Sequence, residues 1–333
     1  MTSGDAPALG FGLPVSGSWA EPGTMLALAR RAEDLGYRSL WTFQRLLHPA
    51  PDDAPPARSD GVAASNPGAR PADDAAYRAV HDPLLPLALV AGHTTRIRLG
   101  TATVCAPFLA PPVLAKAALT LDRLSQGRFT LGVGIGWMPH EYVATGVPET
   151  ERGARMEEYL QTLHALWAAD ADHPAGFEGR FYRVPPSSPG LAPVQRPHPP
   201  VLVGGTAPAA LRRAGRLADG WIAHSRHRPD DIADGARLVR AAARDAGRDP
   251  DAVTVLVRAI VDLTARSLPA SRPFLHGDAA QVRGDLARLY ERGATEVFVD
   301  LNFHPRVGSP DVPATAATSY AEEVLAALAP AAG

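Results

Sequence analysis

The chain is nearly without cysteine. A single thiol, Cys105, stands among 333 residues, which excludes an internal disulfide framework and fits a reducing cytoplasm. It also lacks any run of about 18 uninterrupted apolar residues, so no membrane span is expected. Its first residues, MTSGDAPALGFGLP, hold neither a basic start nor an apolar stretch, so no secretory leader is expected. Neither sign of charge dominates. A formal net charge of −2 gives no reason to expect nucleic acid or an anionic membrane as partner. What is plentiful is apolar material, 46% of residues, enough for a large core. The length is ordinary for one closed barrel.

Against these absences one run stands out, LDRLSQGRFTLGVGIGW at residues 121–137. A helix end meets a turn at Gln126-Gly127, and a short apolar strand follows over 129–133. Gly132, Gly134 and Gly136 then alternate. Glycines at the mouth of a buried strand remove side chains, so a large group can approach the backbone. In parallel sheets that mouth is where ligands sit. A bulge or tight bend without a ligand gives the same local pattern. The run is not a dinucleotide fingerprint, because the third glycine of G-x-G-x-x-G would fall at Pro139.

Short apolar runs alternate with helical patterns along the whole chain. Strands are expected at 9–13, 39–42, 97–101, 129–133, 201–204, 221–223, 253–263 and 296–301. Helices are expected at 24–35, 82–94, 112–124, 151–168, 208–217, 230–246, 278–292 and 313–328. Gly36 ends the first helix, and Asp82 with Pro83 starts the second. Eight strand–helix units predict a (β/α)8 TIM barrel spanning 1–333 as one domain, with an open doubly wound sheet as runner-up. Two segments interrupt the units. Residues 43–80 follow strand two on the ligand face, where so long a loop reads as a lid or binding loop. Residues 169–200 precede strand five and read as packing on the barrel's outside or on a subunit partner.

The motifs resemble the luciferase-like flavin and deazaflavin oxidoreductase superfamily, and most of all its branch assigned to coenzyme F420. The stretches that carry the resemblance are DLGYRSLWTFQRLLHP at 34–49, DPLLPLALVAGHTTRIRLGTATV at 82–104 and LAKAALTLDRLSQGRFTLGVGIGW at 114–137. ERGARMEEYLQTLHALW at 151–167, HPPVLVGGTAPAALRRAGRLADGW at 198–221 and GATEVFVDL at 293–301 follow in order. The resemblance implies a flavin-like ring in the barrel mouth, coenzyme F420 or alternatively FMN. It implies a small-molecule substrate and a homodimer. The ring would rest against a bulge at the end of strand three, where Ala102–Thr103 matches a non-proline cis bond. Gly134, Ile135, Gly136 and Trp137 match the segment lining the ring; Trp137 reads equally as a pocket cap and as rim packing. Gly204, Gly205 and Thr206, before the 208–217 helix, match the phosphate site, where helix N–H groups favour an anion. His224 and Ser225 would lie beside it, with Arg226 and Arg228 further out.

The end of strand two departs from the pattern. Several deazaflavin dehydrogenases place an Asp-His pair there, whereas this chain has Gln44 and Arg45. Gln44 is no general base and Arg45 stays protonated. Arg45 reads as an oxyanion or carboxylate binder, or as half of a structural ion pair with Asp82. Glu141 matches a position near the cofactor in relatives, and reads alternatively as a helix cap. His140, Asp300, Asn302 and His304 are further candidate polar groups. No metal motif is present: His224-x-x-His227 lacks a carboxylate partner, and HExxH is absent. The reading is hydride transfer between the deazaflavin and a small organic substrate, with reduction of C=C or C=N favoured. The alternatives are a monooxygenase using reduced FMN and a catalytically silent barrel that binds a ligand.

Overall fold

The computed structural model describes residues 8–50 and 75–330. The chain begins with β1 (Ala8–Gly12), α1 (Pro22–Asp34), β2 (Ser39–Thr42), α2 (Leu85–Ala91), β3 (Arg98–Thr101), β4 (Val104–Cys105), α3 (Pro111–Leu124) and β5 (Phe129–Gly134). It continues with α4 (Pro139–Thr145), α5 (Arg152–Ala168), β6 (Ala175–Glu178), β7 (Arg183–Ser187), β8 (Val201–Gly204) and α6 (Pro208–Leu217). Next come β9 (Gly220–Ala223), α7 (Pro229–Asp245), β10 (Thr254–Ala259), β11 (Asp262–Leu263) and β12 (His276–Gly277). The final elements are α8 (Ala279–Glu291), β13 (Glu296–Val299) and α9 (Ala314–Leu328).

Eight of these strands pair in parallel in the order β3-β2-β1-β13-β10-β9-β8-β5. The ring closes where β3 meets β5, Leu99 opposite Phe129 and Gly100 opposite Thr130. That closure makes a (β/α)8 barrel and removes the open sheet from consideration.

Strand periodicity then decides what fills the barrel. The middle layer holds Trp41, Leu202, Ile222, Leu256 and Phe298, with Ala102 above them. Trp41 fits because Gly100 faces it; a Cβ on Gly100 would lie 2.3 Å from the indole ring. One step toward the C-terminal mouth, the same alternation turns Gly12, Phe43, Gly134, Gly204, His224, Arg258 and Asp300 to the inner face. One step the other way lies a polar plug. Glu296 there accepts from Ser39 Oγ and from Trp41 Nε1 at 3.2 Å, and burial lifts its carboxyl above the usual range. Arg98 donates to Thr130 Oγ1 and Gln195 Oε1, both at 3.1 Å.

The expected lid at 43–80 lies partly outside the described residues, over 51–74. The 169–200 insertion forms the antiparallel β6–β7 hairpin, whose turn gives Arg180 and Phe181 N–H to Glu158 on α5. Its tail then seals the lower end: Val194 and Gln195 N–H bind Asp122, and Gln195 Nε2 binds the Phe129 carbonyl. Helix 82–94 is shorter than expected. Asp82 Oδ1 takes the N–H groups of Leu84 and Leu85, so the helix starts past Pro83. The strand expected at 253–263 ends at Ala259 and resumes as the separate β11.

Candidate active site

The mouth has a shelf. The Ala102–Thr103 bond, just past β3, is cis. The Thr103 side chain lies across two neighbouring strand ends. A Cβ on Gly134 would lie 2.5 Å from Thr103 Oγ1, and one on Gly204 would lie 3.1 Å from Thr103 Cγ2. Three strands, β3, β5 and β8, thus end in one floor of two bare backbones and a threonine. Beyond it Gly136 turns with φ +78, and the Ile135 carbonyl accepts from Tyr142 Oη on α4.

Arg258 stands across from the shelf. It rises from β10, donates through Nη2 to the Ala102 carbonyl, and sets Nε 3.3 Å from Asp300 Oδ2. Asp300 is buried, and its Oδ1 accepts from Asn302 N and Nδ2 at 3.1 and 2.9 Å. Asn302 in turn joins the two ends of the chain's barrel, accepting from Val15 and Ser16 N–H and donating to the Leu13 carbonyl. The Arg258 guanidinium lies 5.1 Å from the Phe303 ring centre. Sequence reading passed over Arg258. The signal was available, an arginine at an inward position of the otherwise apolar strand TVLVRA.

The end of β2 forms the next wall. Phe43 packs on Phe303 with ring centres 4.7 Å apart, and Tyr77 packs on Phe303 at 5.3 Å. Gln44 is tied down, since its Oε1 accepts from Cys105 N–H at 2.5 Å. Arg45 does not pair with Asp82, as one sequence reading had it. Its Nη1 lies 3.2 Å from Glu141 Oε1, and both side chains are only 3% exposed. The reason is chain direction: residues 45–47 run over α4, and Glu141 Oε1 also accepts from Leu46 and Leu47 N–H at 2.7 and 3.2 Å. Glu141 is therefore a clamp on the strand-two loop and not a cap of the α5 helix. The Arg45 guanidinium lies 4.3 Å from the Tyr77 ring centre and 4.2 Å from that of Trp137. Trp137 meets Tyr77 edge-on, ring centres 5.5 Å apart. Next to this group Cys105 is buried, and burial first, then the Glu141 charge, push its thiol up to about 12.

The opposite side carries Gly205, Thr206 and the start of α6. Gly205 has φ +151, and its carbonyl accepts from Trp221 Nε1 at 2.8 Å. Thr206 is exposed, and the helix is capped by Ala207 without a side-chain bond. His224 follows the neighbouring β9, with Ser225 next. Its Nδ1 accepts from Arg226 N–H at 3.1 Å, which leaves the proton on Nε2. Burial, and next the Arg258 charge, push His224 down to about 3, so the ring is a neutral donor at pH 7. Arg228 caps α7 through its N–H on Asp231. His304 turns away from the mouth: it stacks near Tyr320 at 4.9 Å and faces Asp262 at 3.4 Å. His140 sits beside Glu141 on α4. Among the described residues no cluster of three or more His, Cys, Asp or Glu could hold a metal, and no helix is long and apolar enough to cross a membrane.

Known proteins share this architecture. A barrel solved for a monooxygenase of Streptomyces bottropensis superposes with a TM-score of 0.75 at 22% identity, covering 96% of this chain and 98% of that one. An F420-dependent secondary alcohol dehydrogenase, in complex with an F420–acetone adduct, gives 0.71 at 17% identity, covering 97% and 99%. An uncharacterized protein of Mycobacterium tuberculosis is 34% identical over 310 residues, 92% of this chain and 94% of that protein. The sequence profile of the luciferase-like monooxygenases matches residues 8–282. A profile that spans most of the barrel, and a relative matched along 94% of its length, place the chain in the luciferase-like monooxygenase family.

Proposed function

We propose that this barrel is an oxidoreductase that uses coenzyme F420 to reduce a C=C or C=N bond in a small organic substrate. The observation that carries the reading is the chemical bias of the mouth. Arg45, Arg258 and His224 Nε2 supply N–H donors, whereas the carboxylates of Glu141 and Asp300 are each ion-paired. At the end of β2, Gln44 is bonded to backbone and Arg45 cannot accept a proton. Such a mouth polarises an electron-accepting substrate better than it deprotonates an alcohol.

The residues present fit a tricyclic ring. Thr103 lies over Gly134 and Gly204, whose missing Cβ atoms would meet its Oγ1 at 2.5 Å and its Cγ2 at 3.1 Å, so the three together make a low, small-residue floor on which a flat ring can rest. Ala102, Thr103, Gly134, Ile135, Gly136 and Trp137 would hold the ring. Gly205, Thr206, Ser225 and the α6 N-terminus would take its phosphate, with His224 as a neutral donor. When bound, the deazaflavin supplies the hydride. The chain's own part is to orient: Arg258 fixes the Ala102 carbonyl, Phe43 and Phe303 exclude water, and the donors meet charge that develops on the substrate.

Titration of purified protein with F420 and with FMN, followed by stopped-flow oxidation of each reduced cofactor, tests this. The expected result is deazaflavin binding and its anaerobic oxidation by unsaturated acceptors. Tight FMN binding with no measurable deazaflavin binding, and turnover that needs oxygen, would favour the monooxygenase reading and sink this one.

A further inference from the structure

Arg45 leaves two donors unused. Its Nη1 meets Glu141 at 3.2 Å, yet Nε and Nη2 are buried and have no hydrogen-bond partner. The residue is 7% exposed. A buried unpaired donor is costly, and native structures rarely keep one without a use. These two are not scattered. Nε–H and Nη2–H share the guanidinium edge away from Nη1, and they point the same way. That edge matches the two oxygens of a carboxylate.

The surroundings hold the edge in place. Tyr77 and Trp137, whose rings meet edge-on, pack against the guanidinium at 4.3 and 4.2 Å and restrict its movement. Glu141 is spent on the far side, where the same oxygen also takes two backbone N–H groups. From Tyr77 an aromatic wall runs through Phe303, at 5.3 Å, to Phe43 and Arg258. We infer that the Nε/Nη2 edge of Arg45 is a carboxylate receptor, and that the substrate is an organic acid whose planar, unsaturated body lies along this wall. The inference rests on the mouth being the reaction site, as proposed above, and names the substrate class that the site takes.

Calorimetric titration of the full-length protein tests it, with benzoate, cinnamate and indole-3-acetate each compared with its primary amide. At least one acid should bind tenfold or more tightly than its amide. R45K keeps the charge but loses the two-donor edge, and should abolish that preference. If R45K fails to fold, the acid-against-amide comparison on the wild type still decides. No acid preferred over its amide, or a preference that survives in folded R45K, overturns the inference. Cofactor titration of the wild type separates the two claims. Acid preference without any deazaflavin binding would remove the proposed function and leave the carboxylate site standing.

Discussion

Replacing Arg258 with methionine removes one charge from a buried pair and leaves the other behind. Asp300 is 2% exposed, and its Oδ2 faces Arg258 Nε at 3.3 Å. Breaking such a pair from one side costs roughly 3–5 kcal/mol, because the remaining charge stays uncompensated. The lost bond to the Ala102 carbonyl adds about 1 kcal/mol. The Arg258 side chain is 16% exposed, and water entering there reduces the penalty toward about 3–4 kcal/mol. With an unfolding entropy of about 2.1 cal/mol/K per residue, a chain of 333 residues should melt about 4–6 °C lower. The companion change is Asp300→Asn. Its side-chain oxygen keeps both donors from Asn302, and no unpaired charge remains. The double variant R258M/D300N should therefore recover about 2 kcal/mol relative to the sum of the single losses. Differential scanning calorimetry and urea unfolding of the four proteins at pH 7.5 complete the cycle. Additive losses would refute the claim that Arg258 compensates Asp300.

Two further outcomes follow from the same geometry. G204A places a Cβ 3.1 Å from Thr103 Cγ2 and 3.7 Å from the Val133 carbonyl, so it should fold yet lift the shelf. Deazaflavin affinity should fall more than tenfold, about 1.4 kcal/mol, and unchanged affinity in the folded variant would show that the ring sits elsewhere. The second concerns pH. Burial pushes His164 and His304 each down to about 4 and His224 down to about 3. The unfolded chain therefore takes up protons first as the medium acidifies, and stability is lost progressively from about pH 6.5, down to about pH 4 for His164 and His304 and about pH 3 for His224. Denaturant unfolding from pH 7.5 to 4.5 should show that decline, and H304Q should flatten part of it. An identical slope in both proteins would show that His304 is not one of the responsible groups.

Much of the barrel was readable because it is repetitive. Each barrel strand except β10 is a short run ended or followed by glycine or a polar residue, and 39–42, 201–204 and 208–217 match their elements end to end. The alternation within LGVGIGW also points Gly132 and Gly134 inward, and Gly134 is one of the two glycines beneath Thr103. Less readable was anything that depends on contacts distant in sequence. Arg45 reaches Glu141 across 96 positions, and nothing local to either residue distinguishes that partner from Asp82. Arg258 was overlooked because an arginine within a strand reads as an edge or solvent position, until eight strands close around it. The β6–β7 hairpin was hidden by its own prolines: Pro185 and Pro186 lie within β7, where proline argues against a strand, and the two-stranded arm tolerates them because its outer edge needs no donors. The short α4 was missed because its seven residues carry too little periodicity to register.

The plug at the lower end has a kinetic consequence. Ser39 bonds Glu296 there, Arg98 bonds Thr130 and Gln195, and above them Trp41, Leu202, Ile222, Leu256 and Phe298 are buried together. A molecule cannot pass through the lower end, so under the proposed function cofactor, substrate and product would all enter and leave on the side of the C-terminal mouth. If the proposed ring rests on the Thr103 shelf and the proposed acid at Arg45 lies over it, the ring must arrive first and depart last. A single doorway imposes a queue, and steady-state rates should follow a compulsory order in which the outer molecule in excess traps the inner one in place.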